Sequence, residues 1–245
     1  MSLSAPIIEV FSSIQGEGTH IGERQTFVRF QDCELSCKFC DTPSSFVENK
    51  FCLVESPPFS RRFRNLPNPL SVEQLNGILE EFQDSILSIT GGEPLQKSPF
   101  LQEWLPALRP RWRILLETAG VHVAEFREIA DFVDIVGMDL KLPSATGMHP
   151  WWREHEAFLK ASQGKEVYVK AVVTAETSEE DVRRGIEIVA SINPSTPFIL
   201  QPASPVGRFR AVPSVEQLAS WQDIGRKKLL DIRVIPQIHR QLGVL

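Results

Sequence analysis

Short apolar, β-branched runs recur along the chain with helical patterns between them, and this alternation restricts the fold more than any other feature. The runs are Thr26 to Phe30, Ser85 to Thr90, Ile114 to Thr118, Phe132 to Met138, Glu166 to Val173, Phe198 to Gln201 and Leu230 to Pro236. Ser71 and Ser214 mark helix starts, each followed three residues later by Gln74 and Gln217 in capping-box order. The pentapeptide SVEQL stands at both places, but capping alone selects it and the flanks differ, so it is not an internal repeat. Successive βα units put parallel strands at the centre, helices outside and functional loops at the strand C-terminal ends. A closed barrel of eight units takes about 250 residues and would leave no room for the N-terminal segment or for the stretch Pro43 to Pro69. The expectation is therefore an α/β fold: a partial, open TIM-like barrel of about six parallel strands, in a single domain over residues 1–245. Residues 43–69 hold Pro57, Pro58, Pro67, Pro69 and the basic residues Arg61, Arg62 and Arg64 without a clean period, and read as a long loop or insertion.

Three of the four cysteines, Cys33, Cys37 and Cys40, fall within eight positions directly after a strand. Such bunching indicates metal ligation rather than a disulfide scaffold. Four-iron clusters usually take four thiolates, so three in one compact loop suggest a cluster with one iron open to another ligand. The alternative is a zinc site completed by Cys52 or a histidine, although structural zinc favours paired knuckles well apart in sequence. Cys52 otherwise reads as a free buried thiol, and Trp151 and Trp152 as core packing. A formal charge of -5, with 26 Lys and Arg spread along the chain, provides no basic field for a nucleic acid. No apolar run approaches the roughly 20 residues of a membrane helix, and no basic leader opens the chain. A cytoplasmic protein is expected.

The CxxxCxxC loop, with Thr90-Gly91-Gly92-Glu93-Pro94 at a later strand end, resembles the radical S-adenosylmethionine (SAM) superfamily. That resemblance implies a [4Fe-4S] cluster on Cys33, Cys37 and Cys40 whose open iron binds SAM, cleaved by one electron to a 5'-deoxyadenosyl radical. Glu93 and the backbone at Gly91 and Gly92 would then hold the methionine amino group; two glycines let the chain approach a ligand and a carboxylate suits an ammonium. Glu117, Asp139, Lys141 and Lys170 also lie at or near strand ends, where a βα fold has its active mouth. Taken singly, each also fits a helix cap or a surface ion pair.

Ser13-Ile14-Gln15-Gly16-Glu17-Gly18, Arg29, Cys40-Asp41-Thr42 and the terminal Ile235-Pro236-Gln237-Ile238-His239-Arg240 resemble the 7-carboxy-7-deazaguanine synthases, a radical SAM family of queuosine and 7-deazapurine biosynthesis. The resemblance implies conversion of 6-carboxy-5,6,7,8-tetrahydropterin to 7-carboxy-7-deazaguanine with loss of ammonia, through hydrogen abstraction at C6 and ring contraction. It implies that Ile14, Gln15, Gly16 and Glu17 contact the pterin, Arg29 its carboxylate and Thr90 its ring, while Gln201 and His239 close the substrate side. Gln15, Glu17, Arg29 and His239 are the catalytic candidates. Phe39, Cys40, Asp41, Gly91, Gly92, Glu93, Glu117, Asp139, Lys141 and Lys170 would line the SAM site, and the Thr42 hydroxyl would carry Mg2+. A homodimer and a reductant such as flavodoxin or ferredoxin are implied partners. The residue chemistry agrees: arginine presents a planar fork to a carboxylate, and Gln15 with Glu17 suits an aminopyrimidinone edge.

The chain departs from the family pattern in several places. Asp32 and Glu34 flank Cys33 and add negative charge beside the cluster, a change that lowers a potential. Ala119 stands where Asn or Ser is usual, so a hydrogen bond near SAM is expected to be missing. Arg240 replaces a lysine, and Leu245 is the weak candidate for a terminal carboxylate on the substrate. Two other functions compete. A glycyl-radical activase would share the cysteines and GGEP without needing QGEG or Gln-x-His, and a non-catalytic metal protein would have no use for charged residues at successive strand ends.

Overall fold

The structure is a computed structural model that describes residues 3–109 and 111–244. Among the described residues the strands are, in chain order, β1 (Ser4–Ala5), β2 (Ile7–Ile14), β3 (Arg24–Phe30), β4 (Phe51–Glu55), β5 (Phe63–Pro67), β6 (Leu70–Ser71), β7 (Ile86–Gly91), β8 (Arg113–Thr118), β9 (Ile135–Asp139), β10 (Glu166–Val173), β11 (Phe198–Pro202) and β12 (Ile232–Val234). The helices are α1 (Val72–Leu79), α2 (Ser98–Leu108), α3 (Val123–Ile129), α4 (Pro143–Thr146), α5 (Trp152–Ala161), α6 (Glu179–Ile192), α7 (Val215–Gly225) and α8 (Ile238–Leu242).

One sheet runs in the order β12-β11-β10-β9-β8-β7-β3-β2-β4-β5, and β1 pairs with β6 in a separate ribbon. From β12 to β3 every pairing is parallel. The apolar runs at Thr26, Ser85, Ile114, Phe132, Glu166, Phe198 and Leu230 each hold one of these strands, because parallel strands covered on both faces are almost wholly apolar. The parallel run thus has one strand more than the expected six. The two ends of the whole sheet, β12 and β5, lie at opposite edges, so the described sheet is open.

Two starts are later than the sequence suggests: Phe132 closes a 3-10 turn and β9 begins at Ile135, while β12 begins at Ile232. Both predicted capping boxes form. Ser71 and Ser214 accept from the backbone N–H of Gln74 and Gln217, whose side chains accept in return.

The stretch 43–69 is more ordered than its prolines imply. β4 and β5 form an antiparallel hairpin from Phe51↔Pro67 to Glu55↔Phe63, with Pro67 on the sheet's edge strand, where a missing N–H breaks no ladder. The connecting turn is organised by the buried Glu55 carboxylate, which accepts from the N–H groups of Ser12 at 3.0 Å, Phe59 at 2.8 Å and Arg61 at 2.7 Å. Those bonds offset the left-handed backbone of Phe59 and Arg61, with φ of 62° and 58°.

Behind the sheet, Phe30 of β3 meets Phe100 and Trp104 of α2 with ring centroids 6.0 and 6.1 Å apart. Trp104 is fully buried and donates its indole N–H to Asn76 Oδ1 at 3.0 Å. Replacing it with alanine removes the aromatic contacts and strands the amide, so Trp104→Ala is expected to cost about 3–5 kcal/mol in chemical denaturation. A loss below about 1 kcal/mol, the ordinary surface range, would contradict this packing account.

Candidate active site

A cavity of about 480 Å³ opens among the strand ends, the cysteine loop, the segment after β2 and the C-terminal segment. It brings together nearly all of the sequence-predicted site residues. Ile14 to Glu17, Arg29, Cys33, Cys37, Phe39 to Thr42, Thr90 to Gly92, Glu117, Asp139, Lys141, Lys170, Gln201 and His239 line it. Glu93 does not, and Leu245 lies outside the described residues.

The cysteine loop leaves β3 at Phe30 and is pinned to the loop after β7. Gly92 donates its N–H to Phe30 O at 3.0 Å, and Glu93 donates to Asp32 O at 2.9 Å. A Cβ on Gly92 would overlap the Asp32 carbonyl and lie 2.9 Å from Cys33 Cβ, so a glycine is what lets these loops meet. From the other side Lys38 N–H donates to Thr146 O of α4 at 3.2 Å. Burial pushes the three thiols up, Cys33 to about 12, so holding them as thiolates requires compensating positive charge.

The donor set fits a cluster ligated by three cysteines. Cys52 is fully buried in the core on β4 and does not reach the cavity, which removes the zinc alternative that used it. Among the described residues no three Cys, His, Asp or Glu side chains converge tightly enough to bind a single metal ion. The extra acidic residues beside Cys33 are also countered. Asp32 pairs with Lys97 at 2.6 Å and Glu34 with His122 at 2.6 Å, so much of the added charge is neutralised locally.

Glu93 sits directly behind the cavity wall. Its carboxylate accepts from Leu95 N–H at 3.1 Å, Thr118 Oγ1 at 2.8 Å and Ala119 N–H at 2.8 Å. Burial nevertheless holds its carboxyl above the usual range. Thr118 and Ala119 line the cavity. Glu93 thus shapes the end of β8.

A chain of partly buried charges crosses the cavity. Lys170 on β10 bridges Glu17 and Asp139 Oδ2, the latter at 3.3 Å, and Lys141 reaches the same Asp139 oxygen at 3.1 Å. Desolvation opposes every one of these charges, but their mutual attraction wins: Glu17 and Asp139 are held below the usual carboxylate range, and Lys141 and Lys170 above the usual ammonium range. Gln15 is set by its amide, which donates to Glu117 Oε1 at 3.0 Å and accepts from Glu17 N–H at 3.1 Å. Arg29 gives its Nε to Glu9 at 2.7 Å, and its guanidinium carbon lies 5.6 Å from the centre of the Phe11 ring.

The C-terminal segment docks onto the segment after β2. Ile238 N–H donates to Gly16 O at 3.0 Å, and any side chain at Gly16 would overlap His239. Burial lowers the His239 pKa, favouring the neutral ring.

Gln237, to which the sequence motif assigns no role of its own, holds a central position. Its Nε2 donates to Glu17 Oε1 at 2.7 Å and to Asp41 Oδ2 at 2.8 Å, tying the segment after β2 to the cysteine loop. Burial works against the Asp41 anion, yet Gln237, Lys170 and Arg240 outweigh it and hold the carboxyl at about 2. Tyr168, Phe11 and Phe27 also line the cavity and carried no motif.

His155, missed as well, braces the wall from behind. It is fully buried on α5, with Nε2 3.1 Å from Ala119 O, and burial, reinforced by Lys141, holds its pKa at about 4. Unfolded chains protonate histidine near 6.5, so stability from this ring is complete above that pH and is lost as the pH falls towards 4. The expected loss across that window is about 3 kcal/mol, read as the difference in pH-dependent unfolding between the protein and His155→Gln. Parallel curves for the two would contradict the assignment.

Residues 27–196 match the Radical SAM superfamily. Over 98% of its length the chain is 40% identical to a Geobacter sulfurreducens protein named 7-carboxy-7-deazaguanine synthase, 98% of which it covers. A Methanothermobacter thermautotrophicus protein of the same name is 34% identical, with 99% of this chain and 98% of that one aligned. In fold the chain is similar to QueE from Escherichia coli, with a TM-score of 0.60 at 20% identity over 94% of each chain. With its three-cysteine loop, glycine-linked strand ends and end-to-end relatives, the chain belongs to the radical SAM superfamily and, within it, to the 7-carboxy-7-deazaguanine synthases.

Proposed function

We propose that this chain converts 6-carboxy-5,6,7,8-tetrahydropterin to 7-carboxy-7-deazaguanine with loss of ammonia. The observation that carries the reading is the meeting, on one cavity, of the Gln15 to Glu17 segment and the Gln237 to His239 segment beside the three cysteines. When bound, a [4Fe-4S] cluster on Cys33, Cys37 and Cys40 with SAM supplies the one-electron chemistry that starts the reaction.

The remaining work falls to the chain's own residues. Gln15 and Glu17 would orient the aminopyrimidinone edge, and the Arg29 guanidinium, with Nε already held by Glu9, would take the substrate carboxylate on its outer nitrogens. Thr90 and Gln201 would bound the ring, with His239 as a neutral acceptor above it. Asp139, Lys141 and Asp41 supply fixed charges suited to the amino and carboxylate groups of SAM, and Phe39 an apolar face. The reading includes Mg2+ on the Thr42 hydroxyl, which now donates to Asp41 Oδ1 at 3.2 Å, since magnesium keeps several waters and shares substrate oxygens.

A homodimer, a flavodoxin or ferredoxin reductant and a cytoplasmic setting also belong to this reading. Exposed Phe51, Leu53 and Phe63 on β4 and β5 at one edge of the sheet suit a protein contact, and no helix among the described residues is long and apolar enough to cross a membrane.

The test is anaerobic turnover of reconstituted protein with SAM, reductant, Mg2+ and the pterin, followed by mass spectrometry. The expected result is 7-carboxy-7-deazaguanine, abolished in Cys37→Ala. Slow SAM cleavage with the pterin left intact would contradict the substrate assignment and leave the radical SAM chemistry standing.

A further inference from the structure

Tyr168 is the chain's only tyrosine, and it sits on β10 two residues before Lys170. Its side chain is 2% exposed, yet it lines the cavity. The sheet is built around it. Tyr168 pairs with Gly137 of β9, where any Cβ would overlap the phenolic oxygen, and the ring also fills the space where a Cβ of Gly18 would lie. These two glycines fix where the hydroxyl ends.

A buried hydroxyl normally finds a partner, since an unmet one costs the desolvation of the group. Among the described residues the Tyr168 hydroxyl has no protein partner, and its oxygen is not sealed from the cavity, so it is free to meet a bound molecule there. Its polar neighbours are already engaged: Glu117 accepts from Gln15 at 3.0 Å, and Lys170 is held by Glu17 and Asp139. Burial, with the Glu117 carboxylate nearby, keeps the phenol protonated and therefore able to donate. On the same cavity Gln201 Oε1 is buried with no partner, while its amide nitrogen donates to Glu17. The site thus presents one unmet donor to the cavity, which a ring carbonyl or imine nitrogen, as in a pyrimidinone, can meet, while the sealed Gln201 oxygen lies behind it.

We infer that Tyr168 binds the substrate, donating its hydroxyl hydrogen bond to a ring acceptor of the pyrimidinone, and so acts as a specificity residue. The inference rests on the reading given under Proposed function. It is tested with holoenzyme and Tyr168→Phe, which keeps the ring between its glycines and removes only the hydroxyl. Titration with 6-carboxytetrahydropterin in the presence of SAM, together with steady-state turnover, is expected to show about a tenfold weaker Kd and higher KM in the variant. SAM affinity and melting temperature are expected to stay those of the parent. Equal pterin affinity in the two proteins would overturn the contact, and a parallel loss of SAM affinity or of melting temperature would overturn it in favour of a packing role. Failure of the parent holoenzyme itself to bind the pterin would overturn the functional reading first, and the inference with it.

Discussion

The site depends on the partly buried ion chain Glu17–Lys170–Asp139–Lys141. Two ammonium groups and two carboxylates, each mostly shielded from water, are costly to leave unpaired. Lys170 and Asp139 come from adjacent parallel strands, whose register pairs them directly. Glu17 does not belong to the sheet. It comes from the segment after β2, and the excess positive charge of Lys141 and Lys170 on the single Asp139 carboxylate gives that segment a reason to fold into the cavity. Once Glu17 is there, Gln237 and Gln201 hydrogen-bond to it, and the C-terminal segment is drawn over the same opening. One electrostatic requirement therefore assembles the catalytic candidates from both ends of the chain.

Close backbone approach supplies the second constraint. Gly92 lets the loop after β7 lie against the cysteine loop, and Gly16 lets the segment after β2 lie against His239. Each replaces a side chain with a short backbone hydrogen bond, which fixes spacing more rigidly than a side-chain contact does. The cysteines are thereby set relative to the strand ends, and the substrate side relative to the C-terminus, while Gln237 joins the two halves through Glu17 and Asp41.

How much of this could be read from the sequence depends on whether the signal is local. The parallel strands were legible because each is a short apolar run, and the capping boxes because their partners stand three residues apart. The β4–β5 hairpin was hidden behind four prolines, and the carboxylate that organises its turn, Glu55, looks like any surface glutamate until its three backbone donors are seen. In the site, QGEG, CxxxCxxC, GGEP and Gln-x-His were legible as motifs, and the structure gathers them on one cavity. Glu93 carried a motif, but its carboxylate is turned into the wall, an orientation that depends on Thr118 and Ala119 some 25 residues on. Tyr168 carried no motif, since its placement depends on Gly137, a residue of the neighbouring strand. The charges flanking Cys33 were legible and their neutralisation was not, because Lys97 and His122 lie far along the chain.

The proposed reaction requires SAM and the pterin to occupy a single cavity, close enough for an atom to pass between them. Direct transfer requires the reacting atoms to come within about 3–3.5 Å, a distance that a shared site imposes and separate sites forbid. The most direct measurement is turnover of substrate deuterated at C6, with the SAM recovered afterwards and examined by mass spectrometry. The account predicts deuterium on the 5' carbon of the recovered SAM. Product formation with the label absent from both SAM and deoxyadenosine would contradict it.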